Sequence, residues 1–280
     1  ANYWSYNGSP GTGTPPRLYN QIARLIAIQE GNTEVENARL FALINLGLGD
    51  AGISAWDSKY NYEYWRPILG IREAHTDGNR RTRRDPWWRP LGGSRSNPFP
   101  GEGNFTPPFP AYTSGHATFG AVVMKTLANF YQTDDISFSF ISDEWNGSTR
   151  DQFNRVRPVV ERSYDSLSYV AAENAASRVY NGVHWRFDGS EGVRAGNGIA
   201  DELFDNLLRP VGGGGATSIE NEDFEDQIDG ILAEGDCLRR CSDWGYRPRF
   251  CKRWCRRAGR GGGNGGHGHG HGGHGHGGHH

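Results

Sequence analysis

The chain has 280 residues, 35% of them hydrophobic and 22% charged, with a formal net charge of −2. That is enough for one sizeable core with appendages. No run approaches the ~18 apolar residues of a membrane-spanning helix, and a near-neutral total gives no reason to expect a nucleic-acid partner. The charge is uneven, however: residues 236–260 hold nine Lys/Arg against two Asp/Glu, about +7, leaving the remainder near −9. The sequence opens at Ala1 with neither Met nor a signal-peptide pattern, and the expectation is a secreted chain whose leader has been removed. Three sequons agree with that, starting at Asn7, Asn104 and Asn146; the last lacks a following proline and is the best glycosylation candidate.

In chain order, residues 1–16 read as an extended Gly/Pro/aromatic arm. Leu18, Ile22, Leu25 and Ile26 then fall at helical spacing within 17–30. After Gly31-Asn32 a longer helix begins, capped near Asn32 or Thr33 with Glu34 and Glu36 in its first turn. Its apolar residues, Val35 through Ile53 to Trp56, run nearly all round, so it is expected to be central. Lys59 and Arg66 follow among aromatics, seven apart and so on one helix face. Two inward cations are costly unless an anion sits between them; solvated charges with snorkelling stems are the plain alternative. Pro67 bends or ends this helix.

Residues 76–113, rich in Gly, Pro, Arg and Trp, lack periodicity and read as a long loop forming a wall or lid. Ser114-Gly115-His116 starts the next apolar helix, which runs to about Tyr131. Ser114 suits an N-cap, and the free amides at a helix start cradle anions. A short aromatic helix or turn is expected over 134–147. Helices follow over 152–180, with a break near Pro158, and over 189–208. Between these two, Arg178 closes a helix, Asn181-Gly182 ends it, and His184 stands just beyond.

Three spaced motifs now stand in order: Lys59-x6-Arg66-Pro67, Thr113-Ser114-Gly115-His116, and Ser177-Arg178-x5-His184. Together they resemble the vanadium-dependent haloperoxidases, within the superfamily that includes type 2 phosphatidic acid phosphatases. Residues 107–120 are similar to the fungal chloroperoxidase pattern almost throughout, with Thr113 where proline is usual. The resemblance covers about residues 20–210. It implies an all-α helical bundle holding vanadate as cofactor. Lys59, Arg66 and Arg178 would then hold the oxyanion by charge-assisted hydrogen bonds, with Ser114 and Gly115 donating a hydroxyl and an amide. His184 would ligate the metal, and His116 would be the acid–base group. Trp56 and Phe109 match halide-pocket positions. The implied reaction uses hydrogen peroxide to oxidise bromide or chloride to hypohalous acid, which halogenates an organic acceptor. An acid phosphatase using His184 as nucleophile is the rival reading, and an extracellular assembly protein on an inherited scaffold is a third. The family's usual second bundle is absent from this chain, so a homo-oligomer or other assembly is expected. A carboxylate partner for His116 has three candidates, Asp50, Asp57 and Glu63.

The organisation read from the sequence is an arm (1–16), the helical domain (17–211), a Gly-rich and acidic linker (212–236), a basic cysteine segment (237–258) and a Gly/His tail (259–280). Cys237-x3-Cys241 and Cys251-x3-Cys255 place each pair on one helix face. They resemble the α-hairpinin scaffold, which implies two disulfides, Cys237 with Cys255 and Cys241 with Cys251, in an oxidising compartment. A four-cysteine zinc site is the alternative. The basic hairpin is expected to seek anionic glycans or membranes. In the tail, His267, His269, His271, His274, His276, His279 and His280 form a low-complexity run able to take Zn2+, Cu2+ or Ni2+.

Overall fold

The computed structural model describes residues 2–4, 13–92, 106–151, 154–212, 214–220 and 224–232. Two compact units are distinguished, Ala1–Leu232 and Ala233–His280. The second, with the four cysteines and the histidine tail, lies outside the described residues.

The first unit is the expected helical bundle. Helix α1 (Pro15–Gln29) opens on two prolines, whose missing amides cost nothing in a first turn. Helix α2 (Glu34–Tyr62) begins with a full capping box, in which Thr33 and Glu36 satisfy each other's backbone amides. It ends where Glu63 turns left-handed at φ 47°. Helix α3 (Pro67–Arg72) restarts at the proline, so Lys59 and Arg66 belong to different elements rather than to one helix face.

The central helix is α4 (Gly115–Tyr131), not α2. Every α4 residue except His116, Phe130 and Tyr131 is buried, and α1, α2, α5 and α6 all pack on it. Helix α2 buries Leu40, Leu43, Ile44, Leu48 and Ala55 but leaves Val35, Leu46 and Ile53 exposed. Its all-round apolar pattern overstated its burial because only one of its sides meets the bundle. Close approach explains the small residues: a Cβ on Gly196 of α6 (Arg186–Asn206) would lie 2.6 Å from the Thr118 carbonyl of α4.

Two expectations fail between α4 and α5. Phe138–Asn146 is strand β1 rather than a short helix or turn, and the segment expected to be helical from 152 begins instead with strand β2 (Val159–Tyr164). They form an antiparallel pair with Phe138 opposite Tyr164. Alternate burial of Phe138, Phe140 and Ser142 is the period of two that a half-buried strand requires. Helix α5 (Leu167–Tyr180) follows, capped by Ser166. The acidic stretch read as linker contains a short helix, α7 (Phe224–Leu232), seated on α5 through Ile228 and Ile231. The amino-terminal arm is likewise not simply extended. Asn2–Trp4 form a 3-10 turn with Tyr3 and Trp4 buried, and the Trp4 indole donates to Glu173 at 2.9 Å.

Candidate active site

The polar centre of the bundle is built from backbone carbonyls and buried cations. Lys59, in the last turn of α2, is completely buried. Its Nζ donates to the carbonyls of Pro110 (3.0 Å), Ala111 (2.9 Å) and Thr113 (2.5 Å). Arg66 precedes α3, where its extended backbone sends the side chain inward. Its Nε donates to Phe109 O at 2.8 Å and its Nη1 to Val183 O at 2.6 Å, and Nη1 lies 2.9 Å from His184 Nε2. The loop expected to be a wall is therefore one over residues 109–113, held by both cations. Residues 93–105 of that loop lie outside the described residues.

This wall runs directly into Ser114-Gly115-His116 at the start of α4. Thr113 stands in the usual proline position; its peptide bond with Tyr112 is cis, and its carbonyl is one of the three around Lys59. Ser114 is the N-cap, with its hydroxyl accepting from Ala117 N–H at 3.4 Å. A Cβ on Gly115 would lie 2.9 Å from the Trp56 ring, so only glycine lets that indole close over the helix start. His116 is half-buried. Its carbonyl is fixed by Tyr19 Oη (3.0 Å) and Asn174 Nδ2 (2.6 Å), which tie α1 and α5 to the first turn of α4.

Arg178 and His184 close the opposite side. Arg178 lies in the last turn of α5 and donates Nη1 to the Trp4 carbonyl at 2.8 Å. The chain turns at Gly182 with φ 69°, a conformation that favours glycine. His184 follows, with Nδ1 3.0 Å from Asp188 Oδ2. Asp188 occupies the third position of α6. The same oxygen accepts from Trp185 N–H at 2.9 Å, while its main-chain carbonyl accepts from Ser114 N–H at 3.0 Å. One residue thus ties His184, the start of α6 and the start of α4 together.

Asp188 was not singled out in the sequence. The available signal was its place four residues after His184 at a helix start, where an acid both caps the helix and reaches the imidazole. The candidate carboxylates Asp50, Asp57 and Glu63 are exposed, and the acid paired with a site histidine is Asp188, on His184. With Nδ1–H donated to Asp188, Nε2 presents its lone pair to Arg66 and the interior, and the carboxylate fixes both the tautomer and the orientation of the ring.

The electrostatics point to an anion. Burial, then Arg66, pushes Lys59 down to about 7. Burial likewise lowers Arg66 and Arg178 to about 10. His184 is held well below its usual value by burial and by the charges of Arg66, Lys59, Arg178 and His116, so all five groups converge. Burial raises Asp188 to about 7 against its bond to Trp185 and the charges of Lys59 and Arg66. Arg66 Nη2 and Arg178 Nε are buried with no protein partner. Guanidinium N–H groups in that condition fit a multidentate oxyanion. On these grounds the residues present fit vanadate.

At the mouth, Trp56 and Phe109 pack with ring centroids 5.3 Å apart. The Lys59 ammonium lies 5.8 Å and 5.3 Å from their respective ring centroids, and the Arg66 guanidinium 5.0 Å from that of Phe109. Trp56 remains 37% exposed, so this wall meets solvent.

A helical bundle whose core gathers three buried cations around a helix start and a carboxylate-paired histidine defines the class. The chain belongs to the vanadium chloroperoxidase second helical-bundle domain family, whose model matches residues 39–213. It is 41% identical over 221 residues to vanadium chloroperoxidase of Curvularia inaequalis, covering 66% of this chain and 35% of that protein. It is also similar to the crystal structure of the first bacterial vanadium-dependent iodoperoxidase, with 26% identity, a TM-score of 0.51, and coverage of 71% of this chain and 40% of that one. The chain thus spans about a third of the length of its curated relative.

Proposed function

We propose that the chain is a secreted vanadate-dependent haloperoxidase that uses hydrogen peroxide to oxidise bromide or chloride. The observation that carries this reading is the set of three buried cations, Lys59, Arg66 and Arg178, whose hydrogen-bond partners in the cage are carbonyls and His184 rather than carboxylates. Such a set has no carboxylate bonded to it that would compete with an incoming oxyanion. Vanadate, when bound, would supply a Lewis-acidic centre that activates peroxide without changing its oxidation state. Lys59, Arg66 and Arg178 would hold it by charge, with Ser114 and the Gly115 amide as neutral donors. His184, kept neutral by burial and the neighbouring cations, would ligate through Nε2, aimed by Asp188. His116, in the first turn of α4, would move the proton that peroxide activation requires. Trp56 and Phe109 would form the apolar side of the halide approach. Secretion is supported by Asn146, which stands exposed at the end of β1 in a sequon.

The test is halogenation of monochlorodimedone with peroxide and bromide or chloride, with and without vanadate, beside a phosphatase assay. Vanadate-stimulated halogenation is the expected result. Phosphatase activity without it would overturn the reading in favour of a superfamily phosphatase using the same cage.

A further inference from the structure

A second positively charged feature stands apart from the cage. Between Asn79 and Arg89 the chain carries five arginines against one aspartate. Arg80, Arg81, Arg83, Arg84 and Arg89 are all exposed, and Trp87 is 86% exposed beside them. None of the five arginines is in an ion pair among the described residues.

The segment is nevertheless built rather than loose. Thr82 N–H donates to Asn79 O at 3.1 Å, closing a turn with Arg80 and Arg81 at its corners. The Thr82 hydroxyl lies 2.6 Å from Asp77 Oδ2, while Asn79 N–H donates to Asp77 Oδ1 at 2.8 Å, so the Asp77 carboxylate is engaged in the first turn, and Asp85 Oδ1 accepts from Trp87 N–H at 3.2 Å in the second. A second turn, Trp88 N–H to Asp85 O at 3.0 Å, puts Pro86 and Trp87 at its corners. Asp85 N–H donates to Ile71 O (3.0 Å) and Arg72 Nε to Trp88 O (2.9 Å), anchoring both turns to α3. Trp88 turns inward, its ring against Gly182. The stretch of chain from Arg81 to Trp87 reaches about 20 Å at most.

We propose that this double turn is a docking surface for a sulfated polysaccharide. Guanidinium groups pair with sulfate oxygens through two parallel N–H bonds, and pre-ordering of the backbone lowers the entropy lost on binding. The single exposed indole offers a flat apolar face on which a sugar ring stacks. Single-stranded nucleic acid is matched less well, because successive bases call for successive stacking rings, and Trp87 is the one exposed ring here. A lipid surface is matched less well too, since no aliphatic side chain accompanies Trp87 between Asn79 and Arg89.

The experiment measures binding of the full chain to a heparin octasaccharide by calorimetry. Desulfated octasaccharide, a single-stranded RNA of equal charge and vesicles containing phosphatidylserine serve as competitors. The R80Q/R81Q/R83Q/R84Q variant leaves the basic segment 237–258 in place, so the difference from wild type reads the double turn alone. The variant is expected to bind roughly a thousandfold more weakly, with a shallower dependence on salt. W87A is expected to bind roughly tenfold more weakly. Halogenation of monochlorodimedone, read separately, is expected to be unchanged in both variants. Undiminished heparin binding by the quadruple variant would overturn the proposal. So would equal binding of the desulfated sugar, or preference for RNA or vesicles.

Discussion

Replacing Asp188 by Asn separates the orientation of His184 from the stability of the bundle. Asp188 Oδ2 accepts from Trp185 N–H and pairs with His184 Nδ1, and its Oδ1 has no protein partner. An asparagine with its oxygen in the Oδ2 position keeps both contacts and removes only the charge. Hydrogen bonds to charged groups contribute about 1.5–3 kcal/mol and neutral ones about 0.5–1.5, so the substitution weakens the hold on the imidazole by about 1 kcal/mol. Loss of a carboxylate behind a ligating histidine costs roughly 10- to 100-fold in metal affinity, and that is the expected loss for vanadate. Stability moves the other way. Burial raises Asp188 from 3.8 to about 7, so between those values the folded state holds a proton that the unfolded state releases. Wild-type stability therefore falls as pH rises from about 4 to 7, and D188N loses that dependence. Vanadate titration followed by 51V NMR, with urea unfolding at pH 5 and 8, reads both effects. D188N binding vanadate as tightly as wild type would refute the role of Asp188 in orienting His184.

Four further outcomes follow from the same geometry. His184→Ala abolishes vanadate binding in the 51V titration, whereas His116→Ala keeps binding and loses turnover; equal loss of binding in both would show that His116 is a ligand-holding group. Lys59 is lowered to about 7, so affinity for vanadate falls as pH rises past 7, and binding at pH 8 takes up protons; calorimetry in two buffers of different ionisation enthalpy counts them. Gly115→Ala places a methyl group 2.9 Å from the Trp56 ring. It is expected to destabilise by about 1–3 kcal/mol, outweighing any gain in helix propensity, and W56A in the same chain should relieve that steric part in urea unfolding. Trp4→Ala removes a buried indole and its bond to Glu173 and is expected to cost about 3–5 kcal/mol; a shift within about 1 kcal/mol in urea unfolding would show that the arm does not dock.

The sequence made the cage legible because its residues sit at punctuation. Pro67, Ser114-Gly115 and Asn181-Gly182 mark helix ends, and the charged or titratable groups beside them stand out against aromatic or apolar surroundings. Helix α1 and the start of α2 near Asn32 or Thr33 were legible for the same reason. The β1–β2 pair was not, because Phe138, Phe140, Ser142 and Tyr164 alternate over runs too short to separate from an aromatic helix. Long-range relations were hidden altogether. Nothing in the local pattern at Trp4 announces that its carbonyl meets Arg178, 174 residues away. Nor does Asp188 stand out until the turn at Gly182 brings His184 over it. The expectation that α2 is central failed because an apolar stripe reports affinity for a neighbour, not whether one is present on every side.

The choice of partners for the cations explains why the site can be both buried and ready to bind. A carboxylate beside each of Lys59, Arg66 and Arg178 would satisfy them more strongly than a carbonyl, but it would also neutralise them and compete with an incoming oxyanion. Six backbone carbonyls do the holding instead: those of Phe109, Pro110, Ala111, Thr113, Val183 and Trp4. They fix the geometry, contribute no net charge and leave guanidinium N–H groups over. The cost is visible in Lys59, Arg66 and Arg178, all pushed below their usual values by burial. On the proposed function, an oxyanion entering the cage would offset that cost, and part of its binding energy would come from restoring the charged forms that the fold disfavours. Asp188, the carboxylate of the cage, is itself pushed up to about 7, which limits its competition while leaving it able to aim His184.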